Sequence, residues 1–358
     1  MKRIISLLLV LCVLCTSALL LTGCASSGRL IKIDPTEQER KVVGKIGDFD
    51  IYYDELRYIT MTYKDQLENI YGEGIWKTEE SAAKYKDELA QKVYASITTN
   101  YGALALAAKN GITPESDGVK SYCHLRMEEL AADLTLILVD YYSTEDVTYT
   151  PSDKEVNDEY KSQLKNMYMT DRIVRLLYSV DGCVEQLVLK YIKDGKLLSN
   201  DNDIEKYIKD EFCRTLHVFV RNDAGESVDD NRAIAEKVLD ELNGGASFNS
   251  MVGSKYNDDL LTTTVNGHYF GVGEMNESYE KAAFALGVDE YSGIVETADG
   301  FYIIKRLPIE SDYVNTYFEE LKSQYQYSVV NVDINNERAS LSFVLNDYGK
   351  TLELWSIK

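Results

Sequence analysis

Side chains able to do chemistry gather in one stretch of the chain, residues 213–308. His217 stands in a short apolar run, Leu216-His217-Val218-Phe219-Val220, that reads as a strand. An imidazole on a strand needs an orienting partner to keep one tautomer. Tyr302, in Gly300-Phe301-Tyr302-Ile303-Ile304-Lys305, carries a phenol that both donates and accepts hydrogen bonds. Asp258 follows Lys255-Tyr256-Asn257 and reads equally as a site carboxylate and as a turn residue or helix cap beside Asn257 and Asp259. Met275 and Tyr279 lie four apart, with Phe284 further along. That spacing suits core packing as well as an apolar slot. His124, on a helix face, reads as structural, and His268, in a glycine-punctuated turn, is given no role.

The elements that must position these groups form one ordered run. The histidine strand is followed by an amphipathic helix with Ile234, Val238, Leu239 and Leu242, stopped by Gly244-Gly245. A second helix carries Phe248, Met251, Val252 and Tyr256. A turn over residues 266–275 leads to a short helix over 279–286. The run closes on Ser292-Gly293-Ile294-Val295-Glu296-Thr297 and Asp299-Gly300-Phe301-Tyr302-Ile303-Ile304-Lys305. Taken in this order, the blocks resemble a parvulin-type peptidyl-prolyl isomerase domain, over roughly a quarter of the chain.

The resemblance implies a site. His217 stands where the family has its first active-site histidine, Asp258 where members carry Asp or Cys, and Thr297 where a threonine supports the second histidine. That second histidine is replaced by Tyr302, which is expected to hold the imidazole of His217 in its stead. Met275 and Tyr279 match the methionine and aromatic residue of the proline slot, with Phe284 and Tyr269 closing its sides. The reaction needs no covalent bond to substrate. Its barrier, about 18–20 kcal/mol, is the partial double bond of the amide. A catalyst must favour the twisted amide with an apolar grip on the ring and a polar set that holds the rotating carbonyl.

The amino terminus points to a compartment. Lys2 and Arg3 precede an apolar run over residues 4–21, the layout of a signal peptide. It ends Leu21-Thr22-Gly23-Cys24, which resembles a bacterial lipobox, so Cys24 is expected to be acylated and to become the mature first residue. Two chains of lipid make attachment stable at about 0.8 kcal/mol per buried methylene. Such a protein would sit at the extracytoplasmic face of the cell membrane. A retained transmembrane helix is the competing reading. Cys12 and Cys15 would leave with the signal. Cys123, Cys183 and Cys213 remain, an odd number with wide spacing that fits free or buried thiols.

The 358 residues carry a formal net charge of -21, which argues against nucleic acid or anionic lipid as a partner. The reading is an α+β chain: signal peptide 1–23, flexible tether 24–40, helical domain 41–210, parvulin-like domain 211–308 with an antiparallel sheet and flanking helices, and a C-terminal segment 309–358. Residues 42–51 read as strand-turn-strand punctuated by Gly44 and Gly47. Leu56, Ile59, Tyr63, Leu67 and Ile70 mark one helix; Leu89, Val93, Ile97, Tyr101 and Leu104 mark a second. A third runs from about Asp117 past Leu134, Ser152 and Glu155 make a capping box, and Asp181-Gly182 is expected to break the next helix. Residues 339–355 read as helix and then strand. Residues 103–122 are similar to the helical chaperone domain that flanks parvulin domains in exported foldases of the PrsA and SurA type. In that family the C-terminal piece packs on the N-terminal helices, so the isomerase is an insertion. The implied function is a lipid-anchored foldase that isomerises X–Pro bonds in unfolded exported polypeptides, weakly if at all given Tyr302 and Tyr279. No metal or organic cofactor is implied, and a homodimer stays open. A holdase that keeps a degenerate parvulin fold is the alternative. A two-lobed solute-binding lipoprotein lacks its strand-helix alternation over residues 53–210.

Overall fold

The computed structural model describes residues 30–144, 147–222, 227–258 and 266–358. The signal-like run, Cys24 and Asp259 lie outside the described residues. The architecture is α+β. It opens with β1 (Val42–Ile46) and β2 (Phe49–Tyr52), an antiparallel hairpin turned at Gly47 and Asp48. Gly44 sits inside β1 and not in the turn. There follow α1 (Tyr53–Tyr71), α2 (Glu79–Ala82), α3 (Lys86–Ile97), α4 (Thr99–Lys109), α5 (Asp117–Tyr142), α6 (Asp153–Asn166), α7 (Asp171–Lys193) and α8 (Asp201–Glu211). Leu56 and Leu67 of α1, Leu89 and Val93 of α3, and Leu104 of α4 share one core, because the apolar stripe of a helix must face a neighbour. The capping box starts α6: Ser152 Oγ accepts from Glu155 N–H, and the Glu155 carboxylate accepts from Ser152 N–H at 2.8 Å.

Two helix boundaries differ from expectation. The stripe over 89–104 belongs to two helices that meet at Thr98. Conversely, α7 runs unbroken through Asp181-Gly182. Gly182 is there for a close approach to α5: a Cβ would lie 3.1 Å from Val119 Cγ1 and 3.3 Å from Tyr122 Cδ1. The first turn of α1 is tied to that of α7 by ions. Arg172 Nη2 meets Glu55 at 2.7 Å, and its Nε meets Asp54 at 2.9 Å. Both carboxylates are buried. The segment expected as a flexible tether is fastened at residue 30: Leu30 is buried against α5–α7, and Ile31 N–H donates to Asn157 Oδ1 at 2.8 Å.

After Phe212 the chain builds a sheet. Its elements are β3 (Cys213–Arg221), α9 (Val228–Asn243), α10 (Phe248–Val252), β4 (His268–Phe270), α11 (Glu277–Ala285), β5 (Val295–Thr297) and β6 (Gly300–Leu307). The strand order is β4-β3-β6-β5, all antiparallel. Strand side chains alternate faces. Leu216, Val218 and Ile303 therefore pack on α9 and α10, while Cys213 and Ile304 pack on α11. Arg306 holds the end of α11 by donating to Leu286 O at 2.8 Å.

The chain then re-enters the helical body through α12 (Ser311–Thr316) and α13 (Phe318–Ala339), which packs on α4, α7 and α8. The order expected over 339–355 is corrected: α13 ends at Ala339, β7 (Phe343–Leu345) pairs with β1, and two 3₁₀ turns follow. The C-terminus is pinned under α1, where Lys64 Nζ donates to the carbonyls of Trp355 at 2.9 Å and Ile357 at 2.6 Å.

Candidate functional site

On β3 the period of two puts Thr215, His217 and Phe219 on one face. The register pairs Phe219 with Tyr302 and His217 with Ile304, so Tyr302 is the diagonal neighbour of His217. β4 adds His268, opposite Thr215. α11, started by Asn276 Oδ1 accepting from Ser278 N–H, lowers Tyr279 onto this face. The Tyr279 hydroxyl lies 2.9 Å from His217 Nδ1 and 2.8 Å from Thr215 Oγ1. A phenol both donates and accepts, so this hydroxyl links the three into a chain. His217 is 3% exposed and Tyr279 1%.

Aromatic rings wall this chain. His268 stacks on His217 with centroids 5.1 Å apart and planes within 2°. Tyr302 stands edge-on to His217 at 5.2 Å and to Tyr279 at 5.2 Å, and stacks on Phe219 at 4.3 Å. The result is an imidazole of fixed orientation in an apolar aromatic box, with polar atoms at one end. Such a box can grip a ring-shaped apolar group and present a preorganised dipole to a rotating carbonyl. Cys213, on the same face, is pushed up to about 11 by burial, so it stays a thiol.

The candidate residues are not all together. His217, Tyr302 and Tyr279 meet. Tyr279 supplies the hydroxyl at Nδ1, and the Tyr302 ring stands perpendicular to the imidazole. Met275 is half-buried in the same apolar cluster, and Phe284 packs beyond Phe270 at 5.8 Å. Three others serve elsewhere. Thr297 closes the β5–β6 hairpin, its hydroxyl donating to Gly300 O at 3.1 Å and accepting from Asp299 N–H, because the chain turns there. Asp258 is exposed and covers the open edge of β3: its N–H donates to Phe219 O at 2.8 Å and its carboxylate accepts from Arg221 N–H at 2.9 Å. Tyr269 points to the opposite face from His268 and stacks on Tyr313 of α12 at 4.2 Å. The residues overlooked were His268 and Thr215. Period two along β3 pointed to Thr215, whereas His268 needed the pairing of β4.

Glu274, just before Met275, carries a perturbed carboxyl. Burial pushes its carboxyl up to about 7, against the Gly271 N–H and the Gln324 amide that favour its charged form.

Residues 217–307 match the family model described as PPIC-type PPIASE domain. The foldase protein PrsA 1 of Listeria monocytogenes is 26% identical over 169 residues, covering 44% of this chain and 54% of the relative. PrsA of Bacillus subtilis is 27% identical over 237 residues, covering 63% and 75%. The chain thus spans about half the length of the first of these curated relatives. The crystal structure of PrsA from Streptococcus pneumoniae is 20% identical, covering 76% of this chain and 93% of that one, at a TM-score of 0.32. Residues 217–307 therefore belong to the PPIC-type parvulin family of peptidyl-prolyl isomerase domains, in a chain similar to PrsA-type foldases.

Proposed function

We propose that this chain is an extracytoplasmic, lipid-anchored foldase whose segment 211–308 isomerises X–Pro bonds in exported polypeptides. The observation that carries the reading is the His217–Tyr279–Thr215 chain inside an aromatic box, in a segment that matches the isomerase family. Uncatalysed X–Pro exchange takes tens to hundreds of seconds. The site would act by binding the twisted amide: Met275 and the rings of Tyr302 and His268 hold the proline, and the hydrogen-bonded imidazole faces the peptide group. Cys24 would bear the lipid, and residues 41–210 with 309–358 would form the body that holds unfolded clients.

A protease-coupled assay on the mature chain, with several residues before proline, tests this. His217→Ala is expected to lower the catalysed rate at least tenfold and to leave client binding by the helical body intact. Equal rates in the parent, in His217→Ala and in Met275→Ala would defeat the site. One observation favours a second reading, a holdase without catalysis: Tyr279 is only 1% exposed and its hydroxyl is engaged, where an open slot needs a free aromatic face. Client protection from aggregation with no isomerisation would select it.

A further inference from the structure

The isomerase segment leans on the helical body at one place that reaches the site. Gln324 lies on α13, beyond the last strand of the segment. Its Nε2 donates one proton to Tyr269 O at 2.8 Å and the other to the Glu274 carboxylate. The second oxygen of that carboxylate accepts from Gly271 N–H at 2.7 Å. One side chain of the body thus closes a ring of hydrogen bonds over the loop from the end of β4 to the start of α11.

The loop also rests on α13 directly. Gly273 has φ +90, and a Cβ there would lie 2.7 Å from Val332 Cγ2. From the other side, Glu280 of α11 accepts from Gly273 N–H at 2.7 Å. The same loop runs into Met275 and, four residues on, Tyr279, whose hydroxyl meets His217. α11 has only nine residues, so a shift of the loop moves it as a unit.

We infer that Gln324 is a positioning residue for the isomerase site: through Glu274 it fixes loop 271–275, and so sets Met275 and Tyr279 against His217. The helical body then tunes the segment inserted in it, and a client that moves α13 alters the proline slot. The inference rests on the isomerase reading for its kinetic part alone.

The joint is also sensitive to pH. The groups facing Glu274 are the Gly271 N–H, the Gln324 amide, Glu280 from α11 and Tyr207 from α8. With its carboxyl titrating at about 7, Glu274 changes charge near neutrality. Two N–H donors grip a carboxylate more strongly than a neutral acid, so the loop is held tightest above that pH.

The test uses the full mature chain, as parent, Q324A and E274Q. Two readouts are taken: kcat and KM for a proline peptide between pH 6 and 8.5, and the ¹³C-methyl resonance of Met275. Q324A is expected to move the Met275 methyl and to raise KM about tenfold with a smaller change in kcat. E274Q, which keeps the side-chain shape but cannot titrate, is expected to remove the step near pH 7 from the parent's kcat/KM profile. If the parent has no isomerase activity, the proposed function fails, but a moved methyl in Q324A still supports the joint. An unmoved methyl in Q324A, with Trp fluorescence showing a folded body, overturns the inference, as does an E274Q profile identical to the parent's.

Discussion

Tyr279→Phe is the sharpest perturbation of the site, since it removes one oxygen and no carbon. That oxygen serves His217 Nδ1 at 2.9 Å and Thr215 Oγ1 at 2.8 Å, and all three residues are at most 3% exposed. Two net hydrogen bonds amount to about 1–3 kcal/mol, and a buried polar atom deprived of a partner adds about 1–3 kcal/mol more unless a water or neighbour replaces it. A loss of about 3 kcal/mol follows, a large part of a domain's net stability of about 5–15 kcal/mol. The probe must report on the sheet. Both tryptophans, Trp76 and Trp355, lie in the helical core, so fluorescence follows the wrong body. Amide hydrogen exchange of β3 reads the right one, and at about 1.4 kcal/mol per tenfold it should quicken about a hundredfold. The ¹⁵N resonances of the His217 imidazole should move as well. Thr215→Val removes one of the same bonds, so the double variant should lose less than the sum of the two singles. Unchanged exchange in β3 together with unchanged imidazole resonances in Tyr279→Phe would refute the hydrogen-bond chain.

Three further outcomes are expected. Arg172→Met leaves Asp54 and Glu55 buried without their cation, and should lower body stability by about 3–5 kcal/mol in a denaturant titration followed by Trp fluorescence; an unchanged midpoint would count against the ion set. Burial lifts the Asp181 carboxyl to about 6 from an ordinary 3.8, so the folded state holds its proton longer than the unfolded one. Its contribution is complete below about pH 4 and is lost as pH rises through about 6, and Asp181→Asn should flatten the stability profile across that window. Cys24→Ala should release or mislocalise the protein, with intact mass showing the loss of two acyl chains; a parent carrying an unmodified Cys24 would end the lipoprotein reading.

Much of the fold was legible because it rests on local periodicity. The stripe Leu89-Val93-Ile97, the Ser152–Glu155 box and the alternation around His217 each state an element within a few residues of chain. The order of blocks over 213–308 was enough to name the family of the segment. What stayed hidden depends on pairing between distant strands and helices. Gly182 looked like a helix break, yet it makes room for Val119 and Tyr122 of α5, which no local pattern reports. Tyr269 and His268 are neighbours in sequence, and only the register of β4 on β3 sends one to the body and the other to the imidazole. Thr297 and Asp258 had the right chemistry at plausible positions, but a hairpin turn and an open strand edge took their hydrogen bonds. Tyr279 was expected as a wall of the slot. Its hydroxyl reaches His217 because α11 crosses the sheet at that height, a distance set by packing across elements 62 residues apart in the chain.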